Sequence, residues 1–181
     1  MIALDTYKEN LYGKILWECY RSKLYIIFLS LVYVLVSAAA VIFAISHNTN
    51  HGLIFYFIAA LVVALSLWRI NRVHNPVALI CEKKLLVAVP WSFINSDYHI
   101  SFRAFYMPVE YNEVAGVSHN WSQLYIGARI TGGLVALPVQ LSYVSLGDKA
   151  DFQNWVERKQ EEVMEKYIEV RKGARNWPAP F

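Results

Sequence analysis

Charge is the scarcest commodity in this sequence. Charged residues make up 17% of the 181 positions, against the ~25% usual in soluble domains. Hydrophobic residues reach 56%. Two cysteines, Cys19 and Cys81, form no CxxC pair and no zinc-ligand pattern. They read as reduced cytosolic thiols, with palmitoylation of Cys19 or a redox role as the alternative. No phosphate-binding glycine loop, no HExxH and no GxSxG occurs. The familiar signatures of nucleotide hydrolysis, zinc proteolysis and serine hydrolysis are therefore missing.

The deficit of charge has an address. Leu24 to Ile45 is an uncharged run of 22 residues, and Leu53 to Trp68 a second of 16. At 1.5 Å per residue the first reaches about 33 Å, enough for a hydrocarbon core of ~30 Å. The second spans with help from Arg69, whose long side chain can snorkel. Backbone groups in lipid must be paired internally, so both runs are expected to be helices. A cleaved signal peptide is a poor fit: the run starts late, continues past the Ala38-Ala39-Ala40 pattern, and is followed by a second run.

Orientation follows from lysine and arginine near the span ends. Arg21 and Lys23 precede the first run, Arg69 and Arg72 follow the second, and the loop between has no charged residue. Both termini are expected in the cytoplasm, with a two-pass hairpin in the membrane between them and the outer loop. Trp17 and Trp68 flank the same side as interface aromatics. These six residues, Trp17, Arg21, Lys23, Trp68, Arg69 and Arg72, form the expected membrane edge. Through Arg72, six positive residues meet three negative ones, which accounts for the whole net charge of +3; from Val73 onward eleven of each sign cancel. A neutral C-terminal region is a poor nucleic-acid binder.

Small residues promise close packing of the hairpin: Ser37, Ala40 and Ala44 on the first helix, Ala60 and Ala64 on the second. The connecting loop contains His47 and His51, but Asn48, Thr49, Asn50 and Gly52 favour a turn. Two histidines also fall short of a closed zinc site. Before the hairpin, Tyr7, Leu11, Ile15 and Cys19 recur at i+4. Residues 1–23 are thus expected to form an amphipathic helix, lying on the membrane or packed on the C-terminal domain.

Beyond Pro76 the periodicity changes. "VALIC", "LLVAVPWSFI", "YHISFRAFY", "VEYNEVAGV", "QLYIGARI" and "LVALPVQL" read as short strands, with Gly132 and Gly133 at one hairpin turn. Asp148 is the expected N-cap of a closing helix whose stripe is Phe152, Trp155, Val156, Val163, Tyr167 and Val170. Glu157, Glu161, Glu162 and Glu165, with Arg158, Lys159, Lys166 and Lys172, are expected on its solvated side. Gly173 is expected to end it, leaving 173–181 as a mobile tail. The fold class is an α+β membrane protein: a two-helix transmembrane hairpin over 24–72, then a small β-sheet or barrel domain over 73–172 plugged by a C-terminal helix.

This order, with "YMPVEYNEVAGVSHNWSQLYIG", "LVALPVQL" and "DKADFQNWVERK", resembles bacterial pleckstrin-homology-like membrane proteins of the YcxB-like family. The resemblance covers about Asn10 to Lys172 and rests on hydrophobic pattern, Leu137-Pro138 and Phe152/Trp155. It implies a pleckstrin-homology-like domain used for recognition. The basic cluster with which many eukaryotic members hold inositol phosphates is not visible. Lys83 and Lys84, at the first hairpin turn, are the nearest candidates for ligand or partner contact. Arg103 and Arg129 join them, pointing either into a groove or into solvent. Asp97, His99 and Glu110 read as surface groups, His119 and Trp121 as a strand-entry loop with one anchoring aromatic. The "NWS" sequon at Asn120 has no use in a cytoplasmic domain.

The expected function is non-catalytic, without cofactor or metal: a domain presented at the inner leaflet to a protein partner, in its concrete form an immunity protein that binds a toxin. The alternative is a nucleotide-sensing defence effector that disrupts the membrane by oligomerising through its hairpin.

Overall fold

The computed structural model describes residues 2–3, 7–47, 52–89, 105–127 and 133–175. In chain order these are β1 (Ile2–Ala3), α1 (Glu9–Tyr12), β2 (Ile15–Cys19), α2 (Lys23–Ser46), α3 (Gly52–Val73), β3 (Ala78–Cys81), β4 (Leu85–Val89), β5 (Phe105–Val109), β6 (Val114–Val117), β7 (Gln123–Gly127), β8 (Leu134–Pro138) and α4 (Leu146–Arg175). Short 3-10 turns at Tyr111–Glu113 and Leu141–Tyr143 lead into β6 and toward α4.

The hairpin forms as its composition dictates. Ser22 caps α2 by accepting the Tyr25 N–H at 3.3 Å. No proline or charge interrupts the helix before His47, whose N–H closes on the Phe43 carbonyl at 3.1 Å. The His47 ring stacks on Phe43, 4.2 Å between centroids, while His51 lies outside the described residues. Helix α3 runs a full 22 residues, about 33 Å, so its last turn carries Arg69 and Arg72. Both helices are long and apolar enough to cross a membrane, and almost nothing covers them: none of the most apolar stretch of α2 is buried, and 17% of that of α3. A core helix of a soluble protein would be mostly covered.

Packing within the hairpin follows the expected face of α2, where Ala44 is buried. On α3 the buried small residues are Ala59 and Ser66. Ala60 and Ala64 are exposed, and with Ala44 and Ala59 they line an open apolar hollow.

The N-terminal segment differs from expectation. Only Glu9–Tyr12 is helical, and Ile15–Cys19 is a strand. Gly13 breaks the helix at φ 79°, ψ −177°, a region open essentially to glycine alone. A Cβ there would meet the Glu82 Cβ at 2.6 Å. Ile15, Trp17 and Cys19 also satisfy the period of two, and the edge of β3 supplies the partner. The pairs are Ile15↔Cys81, Trp17↔Ile80 and Cys19↔Ala78, all antiparallel. The domain is therefore not confined to 73–172. It includes β1 and β2, and the hairpin is an insertion between β2 and β3.

One antiparallel sheet has the order β1-β5-β4-β3-β2, the other β6-β7-β8. The main core lies between them and under α4, with Ile80, Val87, Leu124, Leu141, Phe152 and Val156 buried together. The other face of the first sheet buries Leu79, Cys81, Leu86 and Tyr106 beneath Tyr12, with Tyr7 packed alongside. Tyr111 closes the far end of the core, its hydroxyl donating to the Cys81 carbonyl at 2.6 Å. β4, β7 and β8 begin where their patterns begin, whereas "VEYNEVAGV" divides into the end of β5, a 3-10 turn and β6; 90–104 and 128–132, with Gly132, lie outside the described residues.

Helix α4 starts earlier and ends later than expected. Its cap is Ser145, whose Oγ accepts the Asp148 N–H at 3.2 Å and donates to the Asp148 carboxylate at 2.6 Å. Asp148 thus sits in the first turn rather than at the cap. The helix passes through Gly173 to Arg175, which shortens the expected tail. Phe152 and Val156 plug the core, but Tyr167 is exposed. Lys159, expected in solvent, is buried and donates to Glu162 at 2.6 Å.

Replacing Gly13 by alanine is expected to lower stability by about 1–3 kcal/mol, read as a lower unfolding temperature of the detergent-solubilised full chain. A loss confined to the Glu9–Tyr12 turn would leave that temperature unchanged.

Candidate functional site

Strand register fixes which end of the domain meets the hairpin. Cys19 and Ala78 are paired neighbours, so the start of α2 and the end of α3 leave the sheet side by side. Arg21 locks this junction. It is 9% exposed, and its Nη1 donates to the carbonyls of Val73 and Asn75, each at 3.0 Å. Its Nη2 donates to Gln140 Oε1. The first two acceptors belong to the frayed end of α3, where unsatisfied carbonyls and the helix dipole favour a cation. The third lies just beyond β8, where the chain leaves the other sheet. One planar fork therefore joins hairpin and domain. Burial lowers the Arg21 pKa from its ordinary value, yet a guanidinium stays charged at neutral pH.

The expected membrane-edge residues divide accordingly. Lys23 is exposed at the start of α2. Trp68 is flanked by both arginines of its turn, with Arg69 at 5.0 Å and Arg72 at 5.1 Å from the ring. Arg72 is buried. Trp17 lies in β2 and packs, half-buried, on the main core. Arg21 is likewise withdrawn from the surface, because backbone carbonyls hold it.

Of the expected contact residues, Lys83 and Lys84 are described. Lys83 Nζ donates to the Asn10 carbonyl at 2.8 Å, and Lys84 pairs with Glu110 at 2.8 Å. Both sit at the end of the sheet away from the hairpin and fasten the N-terminal segment and β5 rather than framing a pocket. Arg103, Arg129, Asp97 and His99 lie outside the described residues. Cys19 and Cys81 are fully buried. Burial pushes the Cys19 thiol up to about 12, with the Asp148 carboxylate adding to the effect and Arg21 opposing it. Burial also raises the Cys81 pKa. Both thiols are covered in the folded protein, which speaks against palmitoylation or a redox role for Cys19.

A concavity with both polar and apolar lining runs between β6 and α4. It has a volume of about 390 Å³ and is lined by Gly116, Ser118, His119 and Trp121 on one side and Gln153, Val156 and Glu157 on the other. Among the described residues, β6 has a neighbouring strand on one side only, β7. Gln160 Nε2 donates to the Tyr111 and Val114 carbonyls at 3.0 and 2.7 Å, pinning α4 to the start of β6 and leaving 115–117 along an open edge. Gly116 sits at an irregularity in the β6–β7 register, at φ 151°, with nothing within 4 Å of where a Cβ would stand. At the hairpin end of the groove Trp121 adopts φ 59°, a left-handed conformation costly for a bulky side chain. Asn120 Oδ1 holds its turn by accepting from both Ser118 and Ser122 hydroxyls. Sequence reasoning passes over Gly116 and Gln153 and places Glu157 on the solvated side of the closing helix. The lone glycine within "VAGV" was the available signal, since glycine inside a strand marks a bulge or a close backbone approach.

Comparison with protein-family models, with curated proteins and with solved structures finds no match.

Replacing Arg21 by methionine leaves buried carbonyls without a donor and is expected to cost about 2–4 kcal/mol. Lysine recovers less than half of the loss, because a point charge cannot bridge acceptors on two elements. Unfolding temperatures of the three full-length proteins in one detergent check this; equal values for the lysine and arginine forms would contradict the fork.

Proposed function

We propose that this chain is a membrane-tethered, non-catalytic recognition protein. Its two apolar helices anchor it in the bacterial inner membrane with both termini in the cytoplasm. Its pleckstrin-homology-like domain captures a protein partner at the inner leaflet, a toxin being the concrete case of an immunity role. The anchoring reading is supported by the uncovered apolar surface of α2 and α3, which only lipid or protein can cover at tolerable cost. A cleaved leader is disfavoured because removing α2 would take β2 with it. The cytoplasmic orientation draws on the lysine and arginine bias of the span ends. The pleckstrin-homology-like reading draws on two antiparallel sheets closed by one C-terminal helix.

The observation that carries the recognition reading is the open edge of β6 beside α4. An edge strand offers unpaired backbone groups in one line, and an extended peptide can add to it as a further strand. The α4 wall supplies side-chain discrimination through Gln153 and Glu157, which are themselves linked at 2.8 Å. Gly116 leaves the backbone free for close approach. A second reading, self-association through the hairpin in response to a nucleotide signal, draws on the exposed Ala60 and Ala64 hollow.

Affinity capture of the full chain from native membranes in detergent tests the first reading. The wild-type protein is expected to retain a protein partner. Glu157→Arg, on the groove wall, should weaken retention by about tenfold, a change of ~1.4 kcal/mol. Asp151→Arg, exposed elsewhere on α4, should leave it unchanged. Capture indifferent to Glu157→Arg would remove the groove from the account.

A further inference from the structure

The end of the domain that faces the hairpin carries apolar and basic groups that the recognition reading does not use. Several contacts fix which groups these are. The Ser22 N–H donates to the Tyr143 carbonyl at 2.9 Å, and the Tyr143 ring stacks on Tyr25, in the first turn of α2, at 4.3 Å between centroids. The turn Leu141–Tyr143 and the start of α4 therefore lie level with the first turn of a helix long and apolar enough to cross a bilayer. Leu146, the first residue of α4, is 84% exposed. Tyr143 is also exposed. Lys149, one turn further on, donates to the Ser142 carbonyl at 3.2 Å and lies 5.6 Å from the Trp121 ring centroid. Register places Trp121 at this same end, because β7 begins and β8 ends here, Gln123↔Pro138.

We infer that this end of the domain rests in the interfacial layer of the bilayer that holds the hairpin, with Leu146 and Tyr143 at the boundary of headgroups and acyl chains and Lys149 among lipid phosphates. The occupant is a lipid surface for three reasons. The patch is continuous with α2 through the Tyr25–Tyr143 stack. Its composition of leucine, tyrosine, tryptophan and lysine is what the interface accepts, each presenting an apolar body, a polar tip or both. And the exposed leucine opens a helix whose first turn is already capped by Ser145, so neither helix formation nor the core accounts for it. The domain would thus be held flush with the membrane, with the β6 groove opening sideways just above the headgroups, Trp121 being common to both surfaces.

This rests on the spanning reading of α2 and α3, and the test separates the two. Single nitroxide labels are placed at Leu146→Cys, at Leu35→Cys, exposed in the middle of α2, and at Met164→Cys, exposed far along α4. The full chain is reconstituted in nanodiscs of phosphatidylcholine and phosphatidylglycerol. Collision rates with oxygen and with a water-soluble nickel chelate report depth. Leu35 should favour oxygen and Met164 nickel. Leu146 should show nickel accessibility several-fold below that of Met164. A Leu146 label as open to nickel as Met164, with Leu35 still in lipid, overturns this inference alone. A Leu35 label open to nickel overturns the spanning reading and this inference with it.

Discussion

The pairing of Ile15–Cys19 with Ala78–Cys81 is the constraint on which the remaining structure depends. Two strands in one ladder lie about 4.8 Å apart. The chain that leaves one and returns through the other must therefore bring both ends of the hairpin together. That single pairing makes α2 and α3 antiparallel neighbours, sets the start of α2 beside the end of α3, and turns the hairpin into an insertion within the domain rather than a leader attached to it. It also buries Cys19 and completes the sheet under α4.

Arg21 converts proximity into attachment. A strand edge alone would permit the hairpin to swing about the short connections at Tyr20–Ser22 and His74–Val77. A guanidinium that bonds the last carbonyls of α3 and the Gln140 side chain in one plane removes much of that freedom, because its acceptors belong to different elements. The Tyr25–Tyr143 stack and the Ser22–Tyr143 bond act at the same level, on the turn that Gln140 opens. The domain is thereby held at a defined height and orientation relative to the helices.

What the sequence made legible follows from physics that acts locally. The uncharged run Leu24–Ile45 and the striped run Phe152–Val163 declared themselves through length and period, and the strand from Ala78 as a short, continuous apolar run ending at a turn. What stayed hidden is non-local. Tyr7, Leu11, Ile15 and Cys19 fit a helix as well as Ile15, Trp17 and Cys19 fit a strand; the choice was made by a partner strand beyond the entire hairpin and by Gly13. Arg21 looked like a membrane-edge residue because its acceptors are mostly backbone carbonyls, which leave no trace in a sequence. Asp148 looked like a cap because its partner Ser145, three residues earlier, is equally competent. The groove between β6 and α4 joins segments far apart in the chain, and only Gly116 hinted at it.

Hydrogen exchange across the β2–β3 ladder tests this architecture most directly. With the full chain in detergent or nanodiscs, the amides of Ile15–Cys19 and of Ala78–Cys81 should share one slow exchange rate and lose protection together when Arg21 is replaced by methionine. Rapid exchange throughout Ile15–Cys19 beside an intact, protected Ala78–Cys81 would contradict it, and would return the N-terminal segment to the membrane surface as an independent element.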